Sequence, residues 1–230
     1  MSCYERLVPF ERFVTGADLQ KVATTWEAGG LLEEGWTNIP DHMCAVAAIG
    51  LAMYRNLTPE DPSSIAKACL IHDAFKRREV EAKKASKGDP RVLDEMAAKQ
   101  KLFLLELGWP PVAVSATNAV GHTALRRFFF TLQLGKISIL DKIVHLADSL
   151  TEESDFPQLE VRMAKLRIRY ERLQAEDPKN YGLPAERTMF GVQEEIAFRL
   201  LAEFGDRMRL QPRRFHELCI EDANLILGRS

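Results

Sequence analysis

Hydrophobic positions along the chain recur three and four residues apart, and runs alternating every second residue are nearly absent, so the pattern predicts an all-α protein. A short helix is expected from about Ala17 to Ala28, ended by Gly29-Gly30, followed by a loop from Leu31 to Pro40 that contains Trp36. The next helix, from about Asp41 into Asn56, places Ala45, Val46, Ile49, Ala52 and Met53 on one face. From about Asp61 to Arg77, Ile65, Ala68, Cys69, His72 and Lys76 share a face, and the charged run Arg77 to Gly88 reads as a solvated helix end and loop. Asp89-Pro90 opens a helix through Leu107, ended by Gly108, and Pro110-Pro111 opens another that runs to Gly121-His122-Thr123. Further helices are expected over Gly135 to Leu150, Leu159 to Leu173, Pro184 to Phe204 and Phe215 to Leu227.

Composition narrows the class without naming a chemistry. The chain has 230 residues, 46% of them hydrophobic and 28% charged, enough for one main domain with a sizeable core. With 31 basic and 33 acidic residues the formal charge is −2, so no global field favours a nucleic acid polymer or an anionic membrane. Any phosphate recognition must be local. Cys3, Cys44, Cys69 and Cys219 are scattered, and Cys44 and Cys69 sit in apolar helical patterns, which suits a reducing compartment and speaks against a zinc ribbon. Met1 to Phe13 lacks an apolar signal core and no stretch has the length of a membrane span, so a cytoplasmic location is expected.

Candidate chemistry centres on Ala68-Cys69-Leu70-Ile71-His72-Asp73-Ala74-Phe75-Lys76, where an imidazole and a carboxylate lie side by side in an apolar segment. Burying that pair needs a partner, which either a divalent cation or a structural hydrogen bond provides. His42 lies at the first turn of its helix on the core-facing side, where it points inward or serves as a cap. The helix over Gly135 to Leu150 carries Asp141, His145, Asp148 and then Glu152 as a stripe at helical spacing, and periodicity does not say which of them is a ligand. His122 follows a glycine at a helix end, facing a cleft or solvent. His216 has no companion at metal spacing and is read as structural or exposed.

Taken together, His42, then Leu70-Ile71-His72-Asp73, then Ile143-Val144-His145-Leu146-Ala147-Asp148 resemble the His, His-Asp, Asp signature of the HD superfamily of metal-dependent phosphohydrolases. The resemblance spans roughly Ile39 to Met163. It implies an HD-domain helical bundle over 39–163, with an N-terminal helical extension over 1–38 and C-terminal helices over 164–230 packing on the core. It also implies one or two divalent ions, with His42, His72, Asp73 and Asp148 as the metal ligands, leaving Asp141 and His145 as helix partners or as groups behind the ligands. Within the superfamily, Gly121-His122-Thr123, the run Lys142 to Leu150, Asp155-Phe156-Pro157 and Arg162 look most like the bacterial symmetrical diadenosine-tetraphosphate hydrolases. Where that branch has a further histidine, this chain has Glu95 or its neighbours, so a second metal would rest on Glu95 and His122.

The function expected from this resemblance is hydrolysis of a phosphomonoester or phosphoanhydride on a small nucleotide by metal-activated water. Asp73, Lys76 and His122 are the catalytic candidates, and Lys76, Arg126 and Arg127 the substrate-binding ones. The cofactor is a divalent metal ion: Mn, Fe, Co, Ni, Mg or Zn. The partner is a small-molecule nucleotide, with a homodimer left open by the amphipathic C-terminal helices. Two other readings stand beside it: a mixed-valence di-iron oxygenase of the same fold, and a non-catalytic nucleotide-binding module.

Overall fold

The computed structural model describes residues 2–86, 90–119, 128, 137–176 and 187–229, without the side chains of 90, 91, 93, 94, 170 and 172–176. The chain is helical as the pattern predicts: α1 (Cys3–Leu7) and a 3₁₀ turn (Val8–Phe10), α2 (Gly16–Ala28), α3 (Asn38–Leu57), α4 (Ser63–Ile71), α5 (Lys76–Ala85), α6 (Pro90–Glu106), α7 (Pro111–Thr117), α8 (Ile139–Leu150), α9 (Leu159–Glu176), α10 (Met189–Met208) and α11 (Pro212–Ile226). Among the described residues there is no strand, only an isolated bridge between Glu152 and Asp155.

Helix starts follow their capping chemistry. Ser2 with Glu5 and Thr15 with Asp18 form capping boxes at α1 and α2. Ser138 accepts from the Asp141 amide at the start of α8, and Thr188 from the Gly191 amide at the start of α10. Pro111 and Pro212 open α7 and α11, where a missing N–H costs nothing.

The architecture is organised around α3. Every residue from Met43 to Tyr54 is buried, so this helix has no solvent face over that length. Its main neighbours are α4, α11 and α8, and α7 closes over α4 and α8. Trp26, Trp109, Phe204 and Phe215 are among the largest fully buried side chains of the one continuous core.

Three local expectations are corrected. α3 begins at Asn38, so Pro40 and Asp41 lie inside its first turn, and Asp41 is occupied by Arg6, whose Nε donates to Oδ1 at 2.6 Å. The helix expected over Asp61 to Arg77 stops at Ile71, and residues 72–75 form a turn before α5 starts at Lys76. The charged run read as a helix end and loop is α5 itself, amphiphilic in charge and with no buried residue.

The break after Ile71 is held by tertiary contacts. A helix leaves its last carbonyls without intrahelical donors. Here Cys69 O accepts from His72 Nδ1 at 2.7 Å, Leu70 O from Trp26 Nε1 at 2.7 Å, Ile71 O from the Ala74 amide at 3.1 Å and His72 O from Gln100 Nε2 at 2.9 Å. Gly29, at the end of α2, lies so close beneath this turn that a Cβ there would overlap the Ala74 carbonyl oxygen.

Candidate metal centre

His42 comes from the second turn of α3, His72 and Asp73 from the turn after α4, and Asp148 from the last turn of α8. One ligand atom from each of His42, His72 and Asp73 lies within 4.8 Å of the others. Asp148 joins them, with Oδ1 3.0 Å from His42 Nε2 and 3.6 Å from His72 Nε2. Asp73 Oδ2 stands 4.0 Å from His72 Nε2. The two imidazoles meet edge to face, with centroids 5.5 Å apart. Residue 73 lies in the turn after α4, and its carboxylate comes within the same cluster as the imidazole beside it.

Hydrogen bonding fixes which ring atoms face the cluster. A carbonyl oxygen only accepts, so the contacts from His72 Nδ1 to Cys69 O at 2.7 Å and from His42 Nδ1 to Glu153 O at 3.1 Å place a proton on both Nδ1 atoms. Both Nε2 atoms then face carboxylates. His72 Nε2 is buried and has no hydrogen-bond partner. A neutral Nε2 lone pair opposite a carboxylate is repulsive, so the arrangement calls for positive charge between them: a second proton on the ring or a cation. The donor set of imidazole nitrogens and carboxylate oxygens fits a divalent cation.

The charges agree with this picture. Burial opposes ionisation of His72, but the carboxylates of Asp148 and Asp73 outweigh it and raise its pKa. Burial likewise opposes the Asp148 charge, and His42 and His72 reverse the effect, holding the carboxyl well below the usual carboxylate range. Asp148 sits at the C-terminal end of α8, where the helix dipole disfavours an anion, so its ionisation depends on those neighbours. Asp73 is also shifted down, its burial offset by Lys76 and His72. Lys76 Nζ lies 3.7 Å from Asp73 Oδ1 and 3.8 Å from Glu79 Oε2, and Asp73 above all raises its pKa.

The remaining sequence candidates separate. His145 is buried and turned away from the cluster, with Nδ1 donating to Ala119 O at 2.7 Å and the ring stacked on Phe128. Asp141 is half-buried at the start of α8, its amide donating to the Ser138 hydroxyl. Glu95 is exposed on α6. His122, Arg126 and Arg127 lie outside the described residues. His216 is 2% exposed, which settles the choice between structural and exposed in favour of the first.

Sequence reasoning missed the groups that hold the ligands: the carbonyls of Cys69 and Glu153, and the Gln100 amide behind His72. A carbonyl carries no residue-type signal, and Gln100 is one polar position among many on α6. Among the described residues no helix is long and apolar enough to cross a membrane.

No curated protein and no solved structure matches the chain. The family model of the HD domain matches residues 40–153, the segment that contributes His42, His72, Asp73 and Asp148. With those side chains converging inside an all-helical bundle, the chain carries an HD domain over residues 40–153.

Proposed function

We propose that this protein is a metal-dependent phosphohydrolase acting on a phosphate ester or anhydride of a small nucleotide, with dinucleoside polyphosphates among its candidate substrates. HD domains are generally metal-dependent hydrolases, and residues 40–153 match the HD-domain model. The observation that carries the reading is the orientation of the two imidazoles, each tied to a carbonyl through Nδ1–H and each presenting Nε2 to a carboxylate. In this reading His42, His72, Asp73 and Asp148 hold one divalent cation. When bound, such an ion makes water more acidic and neutralises charge on the attacked phosphoryl group.

The chain's own residues supply the rest. Asp73, facing the imidazoles on one side and Lys76 on the other, accepts a proton from the attacking water. Lys76, its side chain 29% exposed and its charge secured by Asp73, binds a non-bridging phosphate oxygen. His122 donates to the leaving group, or joins Glu95 at a second ion, and Arg126 and Arg127 bind a distal phosphate.

The test is turnover by purified protein with Mn²⁺, Co²⁺ or Fe²⁺ on nucleoside mono- and triphosphates and dinucleoside polyphosphates. Metal-dependent release of phosphate or of a nucleotide is expected. Asp148→Asn should lose turnover together with metal, and Lys76→Ala should retain the metal while kcat/KM falls by about 10²-fold or more, the scale of a lost charge-stabilising donor. Absence of turnover on every pairing of metal and substrate removes the hydrolase reading.

A further inference from the structure

The turn that follows α8 is held by residues outside the matched segment. Glu152 and Asp155 exchange backbone hydrogen bonds of 3.0 and 2.8 Å. Between them Glu153 adopts φ 51°, a left-handed conformation that a residue with a Cβ keeps only where its surroundings impose it. The carbonyl of this residue is the acceptor for His42 Nδ1. Side chains from outside the turn hold it, with Arg162 Nη1 3.9 Å from Glu152 Oε1. Lys165 Nζ of α9 donates to Glu152 Oε2 at 2.7 Å, and Arg229 Nη1 donates to Ser154 O at 2.7 Å.

Arg229 is itself well placed. α11 ends in a Schellman turn, with Gly228 at φ 66°, its amide donating to Leu225 O at 3.3 Å and the Arg229 amide to Asn224 O at 2.9 Å. That turn aims the guanidinium at the Ser154 carbonyl and over the Phe156 ring, 5.9 Å from its centroid. α11 packs on α3, the helix that carries His42. The ring and the group that orients it therefore share one frame.

We propose that Arg229 is a positioning residue of the metal centre, holding the Glu152–Asp155 turn so that the Glu153 carbonyl receives His42 Nδ1–H and keeps the ring turned with Nε2 toward Asp148. This rests on the reading of His42 as a metal ligand. Released from Arg229, the turn loses its anchor at Ser154, and the left-handed Glu153 relaxes toward a conformation that carries its carbonyl away from the ring. Without that acceptor the ring loses its fixed orientation, and Nε2 no longer keeps one place beside Asp148.

The experiment pairs Mn²⁺ titration calorimetry with ¹⁵N NMR of His42 Nδ1 in metal-free protein, where the shift reports whether Nδ1–H is still bonded to the Glu153 carbonyl. Arg229→Ala should weaken Mn²⁺ binding about tenfold, the lower end of the range for lost ligand supports, and move the Nδ1 signal. Arg229→Lys, which can still donate to the carbonyl, should recover most of both signals. Arg213→Ala, on the helix that precedes Arg229 and with its side chain 78% exposed, should match the wild type. Gly228→Ala strains the left-handed turn and should reproduce the Arg229→Ala result, providing a second route if that variant folds poorly. Unchanged Mn²⁺ affinity and an unmoved Nδ1 signal in both Arg229→Ala and Gly228→Ala overturn the proposal. If the wild type binds no Mn²⁺, the metal-site reading fails, while the Nδ1 signal still decides the role of Arg229.

Discussion

Two buried histidines in this chain have opposite environments. His72 is surrounded by carboxylates, and they more than compensate for its burial. His216 is equally buried, its Nε2 has no hydrogen-bond partner, and burial lowers its pKa with only partial relief from Glu160 and Glu217. A base whose folded pKa is depressed is bound by fewer protons in the native state than in the unfolded one. Its contribution to stability is complete above the unfolded value of about 6.5 and is lost as pH falls through the folded value. His216→Leu removes both the proton site and the unpaired nitrogen. It should raise the melting temperature relative to wild type by more at pH 5.5 than at pH 8, read by thermal denaturation of metal-free protein at both values. An advantage of equal size at the two pH values would show that His216 does not titrate against folding.

At the level of elements, the His72-Asp73 pair sits where a helix stops. α4 ends at Ile71 and α5 begins at Lys76, so the pair lies in the turn between them. Trp26 and Gln100 satisfy the carbonyls the stop exposes, and Gly29 lets α2 approach from below. Gly29→Ala drives a Cβ into the Ala74 carbonyl, so either α2 or the turn must move. The expected cost is about 1–3 kcal/mol in urea denaturation, the range for overpacking, with weaker metal binding beside it. Gly16→Ala, where nothing lies within 4 Å of the added carbon, should be neutral or stabilising by up to about 1 kcal/mol. Equal stability of the Gly29 variant and the wild type would mean that the close approach of α2 does not constrain the turn.

Over the whole molecule, the candidate metal centre draws on α3, the turn after α4 and α8, segments far apart in the chain. A ligand that binds only the assembled state stabilises it by mass action, about 2.7 kcal/mol at a hundred times Kd. For a chain of 230 residues this corresponds to a rise of roughly 5–10 °C in melting temperature. Adding Mn²⁺ to metal-free protein should give a concentration-dependent shift of that order, abolished in His72→Ala. A shift that survives in His72→Ala would place the stabilising ion elsewhere.

The sequence by itself determined the helical class, several helix starts, such as those at Gly16, Pro90, Pro111 and Leu159, and the residue types of the candidate centre. Apolar spacing, capping residues and prolines act locally, and the motif residues His42, His72, Asp73 and Asp148 carry their chemistry in their side chains. Tertiary structure alone decided where α4 ends, that His145 turns to Ala119 and not to the cluster, and that His216 is enclosed. It also decided which ring nitrogen of His42 and of His72 meets a carbonyl. Gln100 reaches His72 across 28 residues, Glu153 reaches His42 across 111 and Arg229 reaches Ser154 across 75. In each of these contacts one partner is a backbone carbonyl. Every residue has that group, so only the path of the folded chain selects which one a side chain meets.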